Sequence, residues 1–313
     1  KTEILSSEGF IGRSEIVIED GHMSPEALLA FGRLSDPQVS RDGKYILYGV
    51  SYTSVEDNRS VRNLYICNMD GSGNQLLTTS GKSISNARWS ADGKHVAFLT
   101  GGQIHTASVS CKDGIWKMKG VRKVSDVPAG IGEFKLSPDQ QKVMYVSTVK
   151  SAVKSPSDCY EDLDKATAYT TDDLMYRHWD HFVEEIPHTF VASFDGATLS
   201  GSKDILGTGE ELYELPTLPF GGLEQLRWSP DGKYIAYSCR KLAGRDYAFS
   251  TNTDIYLYNV ETGATQNLTA GMMGYDTEPL FSPDGKQLAF VSMERGGYEA
   301  DKRRLFVIDM GNR

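Results

Sequence analysis

Apolar and polar residues alternate along this chain in short runs, and five of those runs open on the same turn. A bulky apolar residue is followed by Ser, by a tight turn closed with Lys, and by a further apolar run. The copies are Val39-Ser-Arg-Asp-Gly-Lys44, Trp89-Ser-Ala-Asp-Gly-Lys94, Leu136-Ser-Pro-Asp-Gln-Gln-Lys142, Trp228-Ser-Pro-Asp-Gly-Lys233 and Phe281-Ser-Pro-Asp-Gly-Lys286. In such a turn Pro presets φ, Asp hydrogen-bonds nearby backbone, and Gly takes the left-handed conformation that closes the loop, so each copy joins two antiparallel strands. The third copy reads as one residue longer, with Gln in place of Gly. The second position after the Lys is Ile46, Val96, Met144, Ile235 or Leu288, and the fourth is Tyr48, Phe98, Val146, Tyr237 or Phe290. The residue between them is also apolar, which predicts a strand buried on both faces.

A second hairpin follows in several copies, as in Leu64-Tyr-Ile-Cys-Asn-Met-Asp-Gly-Ser-Gly73 and Ile255-Tyr-Leu-Tyr-Asn-Val-Glu-Thr-Gly263. Each repeat is then four antiparallel strands. The repeat serines 40, 90, 137, 229 and 282 lie 50, 47, 92 and 53 residues apart. A four-stranded unit of roughly 40–50 residues is a propeller blade. The long third interval predicts one blade with an insertion, because it contains only one further hairpin, Thr189-Phe-Val-Ala-Ser-Phe-Asp-Gly196. Leu305-Phe-Val-Ile-Asp-Met-Gly-Asn-Arg313 matches the third strand of a blade, so further blades are expected beyond Arg313. The expected fold is an all-β propeller of four-stranded blades. Residues 1–32 form an N-terminal extension with a short helix, and 33–313 form a partial propeller of about five blades with a helical insert over 151–187.

The helix signals are specific. In Ser24-Pro-Glu-Ala-Leu-Leu-Ala-Phe-Gly32, Ser24 is the N-cap, Pro25 the first helical residue and Gly32 the stop. In the insert, Asp172 and Asp173 suit a first helical turn, Met175, Trp179 and Val183 recur at helical spacing, and Pro187 blocks continuation.

Composition narrows the function. The formal net charge is −9 and no Lys/Arg-rich run occurs, which disfavours nucleic acid as a partner. No run approaches the length of a membrane span. Of the four cysteines, Cys67 and Cys239 lie in apolar strand-like runs and read as buried thiols, and no pair has the spacing of a zinc knuckle. The chain opens at Lys1 without a hydrophobic leader, so a removed leader or a trimmed terminus is expected.

No G-x-S-x-G, P-loop, H-E-x-x-H or dinucleotide fingerprint occurs, so this chain alone is not expected to hydrolyse peptides, and no cofactor is expected. His178, His181 and His188 cluster around the insert, but a third ligand beside His178 and His181 is not evident and no metal is expected. The acidic run Asp158, Glu161, Asp162 and Asp164 reads as a solvated face. Glu184 and Glu185 are adjacent carboxylates suited to a substrate ammonium. Trp179 is an anchor or a platform beside them, and Arg177 and Asp180 are spaced to pair. These five residues form the candidate amine-binding group.

The repeated turns resemble those of TolB-like propellers. The opening Ser24-Pro-Glu-Ala-Leu with Gly32-Arg-Leu-Ser-Asp-Pro-Gln-Val-Ser40, and Tyr176-Arg-His-Trp-Asp180 followed by Pro187-His188, resemble the prolyl oligopeptidase family, in particular secreted bacterial exopeptidases of dipeptidyl-peptidase V and acylaminoacyl-peptidase type. The resemblance spans residues 20–313. It implies a non-catalytic propeller that gates access for short peptides and helps bind their N-terminus. It also implies a C-terminal α/β-hydrolase domain on the same native polypeptide carrying the Ser-Asp-His triad, and a periplasmic or secreted location. In dipeptidyl-peptidase IV two Glu of a propeller insert hold the substrate amine, and Glu184 and Glu185 resemble that pair. The alternative is a free-standing TolB-like propeller that binds a protein, and a homodimer through open sheet edges is a further expected partner state.

Overall fold

The computed structural model describes residues 5–207 and 212–312. The chain divides into two compact units, one of residues 1–131 with 195–199, the other of 132–194 with 200–313.

The first unit contains two four-stranded sheets. One is β1 (Arg33–Val39), β2 (Tyr45–Ser54), β3 (Arg59–Asn68) and β4 (Gln75–Leu76). The other is β5 (Ser85–Trp89), β6 (His95–Thr100), β7 (Gln103–Lys112) and β8 (Ile115–Lys123). Ahead of them α1 (Pro25–Ala30) is capped by Ser24, whose Oγ accepts from the Ala27 amide at 3.1 Å. The helix ends one residue before the expected stop, because Phe31 is already extended. Gly32 serves close approach instead: a Cβ there would stand 2.6 Å from Val50 Cγ1.

The second unit carries three blade sheets. Its first has the order β14 (Leu199–Asp204), β13 (Glu185–Phe194), β10 (Lys142–Lys150), β9 (Glu133–Leu136). Between β10 and β13 runs the insert, with α2 (Pro156–Cys159) and the ribbon β11 (Arg177–His178) and β12 (His181–Phe182). Then come β15 (Leu226–Trp228), β16 (Tyr234–Cys239), β17 (Asp254–Asn259) and β18 (Thr265–Asn267), with α3 (Gly244–Phe249) in the β16–β17 connection. The last sheet is β19 (Asp276–Phe281), β20 (Gln287–Ser292) and β21 (Arg304–Asp309).

The turns work as their residues dictate. Ser229 Oγ donates to Asp231 at 2.6 Å and accepts from the Tyr234 amide at 2.9 Å, while Asp231 accepts from the Lys233 amide at 3.1 Å. The same three bonds recur in the third copy, where Ser137 accepts from the Lys142 amide at 2.9 Å and Asp139 from the Gln141 amide at 3.0 Å. That copy is therefore not longer. Gln140 takes the glycine position at φ 58, beside φ 65 to 71 for Gly93, Gly232, Gly285 and Gly43, and Gln141 takes the Lys position. The second and fourth strand positions become Val143 and Tyr145, not Met144 and Val146; Val143 pairs with Leu136 as Ile46 pairs with Val39.

With that register, every sheet carries one ring stack between its second and third strands. The pairs are Tyr48–Tyr65, Phe98–His105, Tyr145–Phe190, Tyr237–Tyr256 and Phe290–Phe306, with centroids 5.3 to 5.8 Å apart. Such a stack contributes roughly 0.5–1.5 kcal/mol beyond its buried area. In the first four of these sheets the strands around it are buried on both faces, whereas β21 is exposed around Phe306. Each unit has its own apolar core, around Leu47, Leu64 and Phe98 in the first and Met144, Leu226 and Tyr237 in the second.

A helix over the second half of the insert is not formed. Asp173 and Thr171 turn their side chains onto local backbone, Thr171 Oγ1 accepting from the Asp173 amide at 3.1 Å and Asp173 from the Met175 amide at 2.9 Å. These bonds compete with the first turn a helix needs. The aromatic residues prefer the ribbon: Tyr169 stacks on Phe182 at 4.4 Å, and Val183 donates its amide to the Tyr176 carbonyl at 2.9 Å.

Candidate functional site

The ribbon turns at Trp179 and Asp180, with His178 and His181 as partners across it. Trp179 sits at φ 48, an uncommon conformation for a bulky residue, and Arg177 Nε donates to its carbonyl at 2.5 Å. Its indole is 71 % exposed and meets Phe220 edge-on at 5.3 Å. Trp179 is thus not a core anchor.

Behind the ribbon, within the second unit, lies a cavity of about 520 Å³. Arg177 and His178 form one wall, the 217–220 segment another, and Arg240, Tyr247 from α3, Tyr275 and Glu299 the rest. Beside it is a buried carboxylate, Glu214, whose side chain is 1 % exposed. His178 Nε2 lies 2.6 Å from Glu214 Oε1, while the Tyr247 hydroxyl at 3.1 Å and the Leu218 amide at 3.2 Å donate to Oε2. A buried carboxylate is tolerable only with such partners. Burial, and then the Glu214 charge, push the Tyr247 phenol above its ordinary range. Burial also pushes the Cys239 thiol up to about 12, and its Sγ contacts the Glu214 carbonyl at 3.3 Å. Next to it, burial lowers the Lys241 ammonium, which lies 4.0 Å from the Tyr256 ring centroid.

The five candidate residues do not converge. Glu184 and Glu185 are both exposed, Glu184 at a bend and Glu185 at the first position of β13. Glu184 accepts from the Tyr169 hydroxyl at 2.5 Å, and Glu185 from the Thr148 hydroxyl at 2.8 Å. Asp180 lies 3.3 Å from His181 Nε2 rather than on Arg177. Of the five, Arg177 lines the cavity and Trp179 reaches it through Phe220. The acidic run splits as well: Asp158 closes a capping box with Ser155. Among the described residues no three metal-ligating side chains come together, and no helix is long and apolar enough to cross a membrane. Sequence reasoning missed Glu214, Arg240, Tyr247 and Glu299. The available signals were an acid embedded among apolar residues in Tyr213-Glu214-Leu215-Pro216, and a basic residue directly after the apolar strand Tyr234–Cys239.

No family model matches the chain. A dipeptidyl-peptidase 5 of Porphyromonas gingivalis is 44 % identical over 289 residues, which covers 92 % of this chain and 41 % of that protein. One of Porphyromonas endodontalis is 43 % identical, over 91 % of this chain and 40 % of its own length. The chain thus spans about two fifths of the length of these relatives. Among solved structures, the acylaminoacyl peptidase of Pyrococcus horikoshii matches with a TM-score of 0.59 at 18 % identity, over 90 % of this chain and 39 % of that one. A puromycin-hydrolyzing peptidase of Mycobacterium tuberculosis matches with a TM-score of 0.53 at 14 % identity, over 91 % and 37 %. These two likenesses show the fold. The blades and their turns make this chain a β-propeller. In sequence it is similar to the dipeptidyl-peptidase 5 proteins over about nine tenths of its own length.

Proposed function

We propose that this propeller serves a serine dipeptidyl or aminoacyl peptidase, gating access for short peptides and holding the substrate's N-terminal end. The observation that carries the reading is the cavity behind the ribbon, where aromatic surface and charged groups meet in a chain related to dipeptidyl-peptidase 5 proteins. Deep, partly apolar cavities with a few polar groups are the usual form of small-ligand sites. The rim pair Trp179 and Phe220 offers apolar surface to a peptide side chain.

A substrate ammonium needs an available carboxylate. Glu214 already accepts from its neighbours, and Glu184 and Glu185 accept separately from the Tyr169 and Thr148 hydroxyls. Glu299 lines the cavity and has no hydrogen-bond or ion-pair partner among the described residues, so it is the acid best placed for the amine. The test uses the full-length protein with its hydrolase domain. Free-amine and N-acetylated dipeptide substrates are compared in wild type, Glu299→Gln, Glu184→Gln and Glu185→Gln. Glu299→Gln is expected to lower kcat/KM for free-amine substrates about 10-fold or more, leaving N-acetylated ones unchanged. If all three variants stay within about twofold of wild type on free amines, the amine-holding role fails.

A further inference from the structure

The hydrogen-bond donors around the cavity are not matched by acceptors. Arg240 follows β16, with its guanidinium carbon 4.9 Å from the Tyr247 ring centroid. Its Nε is buried and has no hydrogen-bond partner. Among the described residues Arg240 donates no hydrogen bond and forms no ion pair, although a buried carboxylate, Glu214, is joined to the same Tyr247. Arg177, which also lines the cavity, gives only its Nε, to the Trp179 carbonyl. Two guanidiniums therefore face the cavity with most of their donors open, against one unengaged carboxylate, Glu299.

Arginines that serve the fold in this protein look different. Arg227, also half-buried, donates to the Leu223 and Leu226 carbonyls at 2.8 and 3.2 Å. A guanidinium stacked on a ring and otherwise unpartnered is held in place yet keeps its planar fork, the geometry that matches a carboxylate with two parallel bonds. A buried donor without a partner costs free energy in the empty state, and an arriving acceptor relieves that cost.

We propose that Arg240, assisted by Arg177, recognises a carboxylate of the peptide, so that the cavity selects peptides by an anionic group. This rests on the cavity being the peptide-contacting site. The carboxylate has two sources, an Asp or Glu side chain or the free C-terminus of a short peptide.

The test measures kcat/KM of the full-length enzyme on matched short peptides. One arm exchanges Glu for Gln within the peptide, and the other exchanges a free C-terminus for an amide. Wild type is expected to favour the carboxylate form about 10-fold or more in one arm, which identifies the source. Arg240→Gln is expected to abolish that preference while neutral peptides stay within about twofold, and Arg240→Lys, which keeps the charge but loses the fork, to retain only part of it. Arg177→Gln, on the exposed ribbon, gives the same direction of change should Arg240→Gln fold poorly. Wild type without a preference in either arm overturns the proposal. So does an Arg240→Gln effect equal on charged and neutral peptides, which would leave the peptide-binding reading standing. If Trp179→Ala and both arginine variants leave every peptide unchanged, the peptide-binding reading fails with it.

Discussion

Two groups of arginines in this protein are built alike and treated differently. In the first unit, Arg62 Nε and Nη2 donate to Ser35 Oγ and the Ser35 carbonyl, each at 3.1 Å, and Nη1 donates to the Ile84 carbonyl at 2.7 Å. Arg88 meets Asp36 at 2.6 Å, where a β-bulge puts Asp36 at φ 52. Even the neighbouring glycine accommodates this joint, since a Cβ on Gly49 would stand 1.9 Å from Arg62 Cζ. In the second unit, Arg240 is half-buried and has no such set of acceptors. The difference separates a cation that closes the fold from one left open at a cavity, and burial alone would not have told them apart.

The largest expected effect tests the closed side. Arg62→Ala leaves the Ser35 and Ile84 carbonyls without their donor and should destabilise the protein by about 2–3 kcal/mol, read from denaturant midpoints, without altering any peptide preference. Gly49→Ala should act in the same direction by displacing the guanidinium. Next is acid. The Ser90 hydroxyl holds the Asp92 carboxyl down to about 2, and hydroxyl bonds lower Asp42, Asp139 and Asp284 in the equivalent turns. A carboxyl lowered in the folded state gives stability that is present above its unfolded value of 3.8 and is lost as pH falls toward about 2. Ser90→Ala should flatten that acid-side loss in a urea titration between pH 4 and 2, and an unchanged slope would refute the assignment. Gln140→Gly should stabilise by about 0.5–1 kcal/mol, because the left-handed position no longer carries a Cβ. The smallest change sharpens the contrast most. Arg240→Leu should leave the denaturant midpoint within about 0.5 kcal/mol of wild type or raise it, since no partner is orphaned. A loss as large as that of Arg62→Ala would make Arg240 a structural residue.

The blades were legible because their signals are local. A Ser, an Asp and a left-handed residue at fixed spacing determine a hairpin whatever surrounds them, and the apolar run after the turn fixes which strand is buried. The one misreading, the register of the third copy, came from taking Lys142 as the turn lysine when Gln141 fills that place. The insert was not legible for the opposite reason. Met175, Trp179 and Val183 have helical spacing, yet the outcome was decided by stacking of Tyr169 on Phe182 and by bonds within Thr171–Met175, which no period reports. The cavity was half legible. Arg177 and Trp179 lie on the ribbon that the sequence singled out. Arg240, Tyr247 and Glu299 reach the site from segments 60 or more residues away, and only the packing of neighbouring sheets brings them there.

The exposed indole at the ribbon turn has an optical consequence. Of the four tryptophans, Trp89, Trp116 and Trp228 are half-buried, and Trp179 alone stands in water at the rim of the cavity. The red edge of the intrinsic fluorescence therefore belongs mainly to this one residue, and an aqueous quencher should reach it first. A peptide settling against Trp179 and Phe220 would shift that emission to the blue and shield it, so the protein carries its own reporter of cavity occupancy without any label.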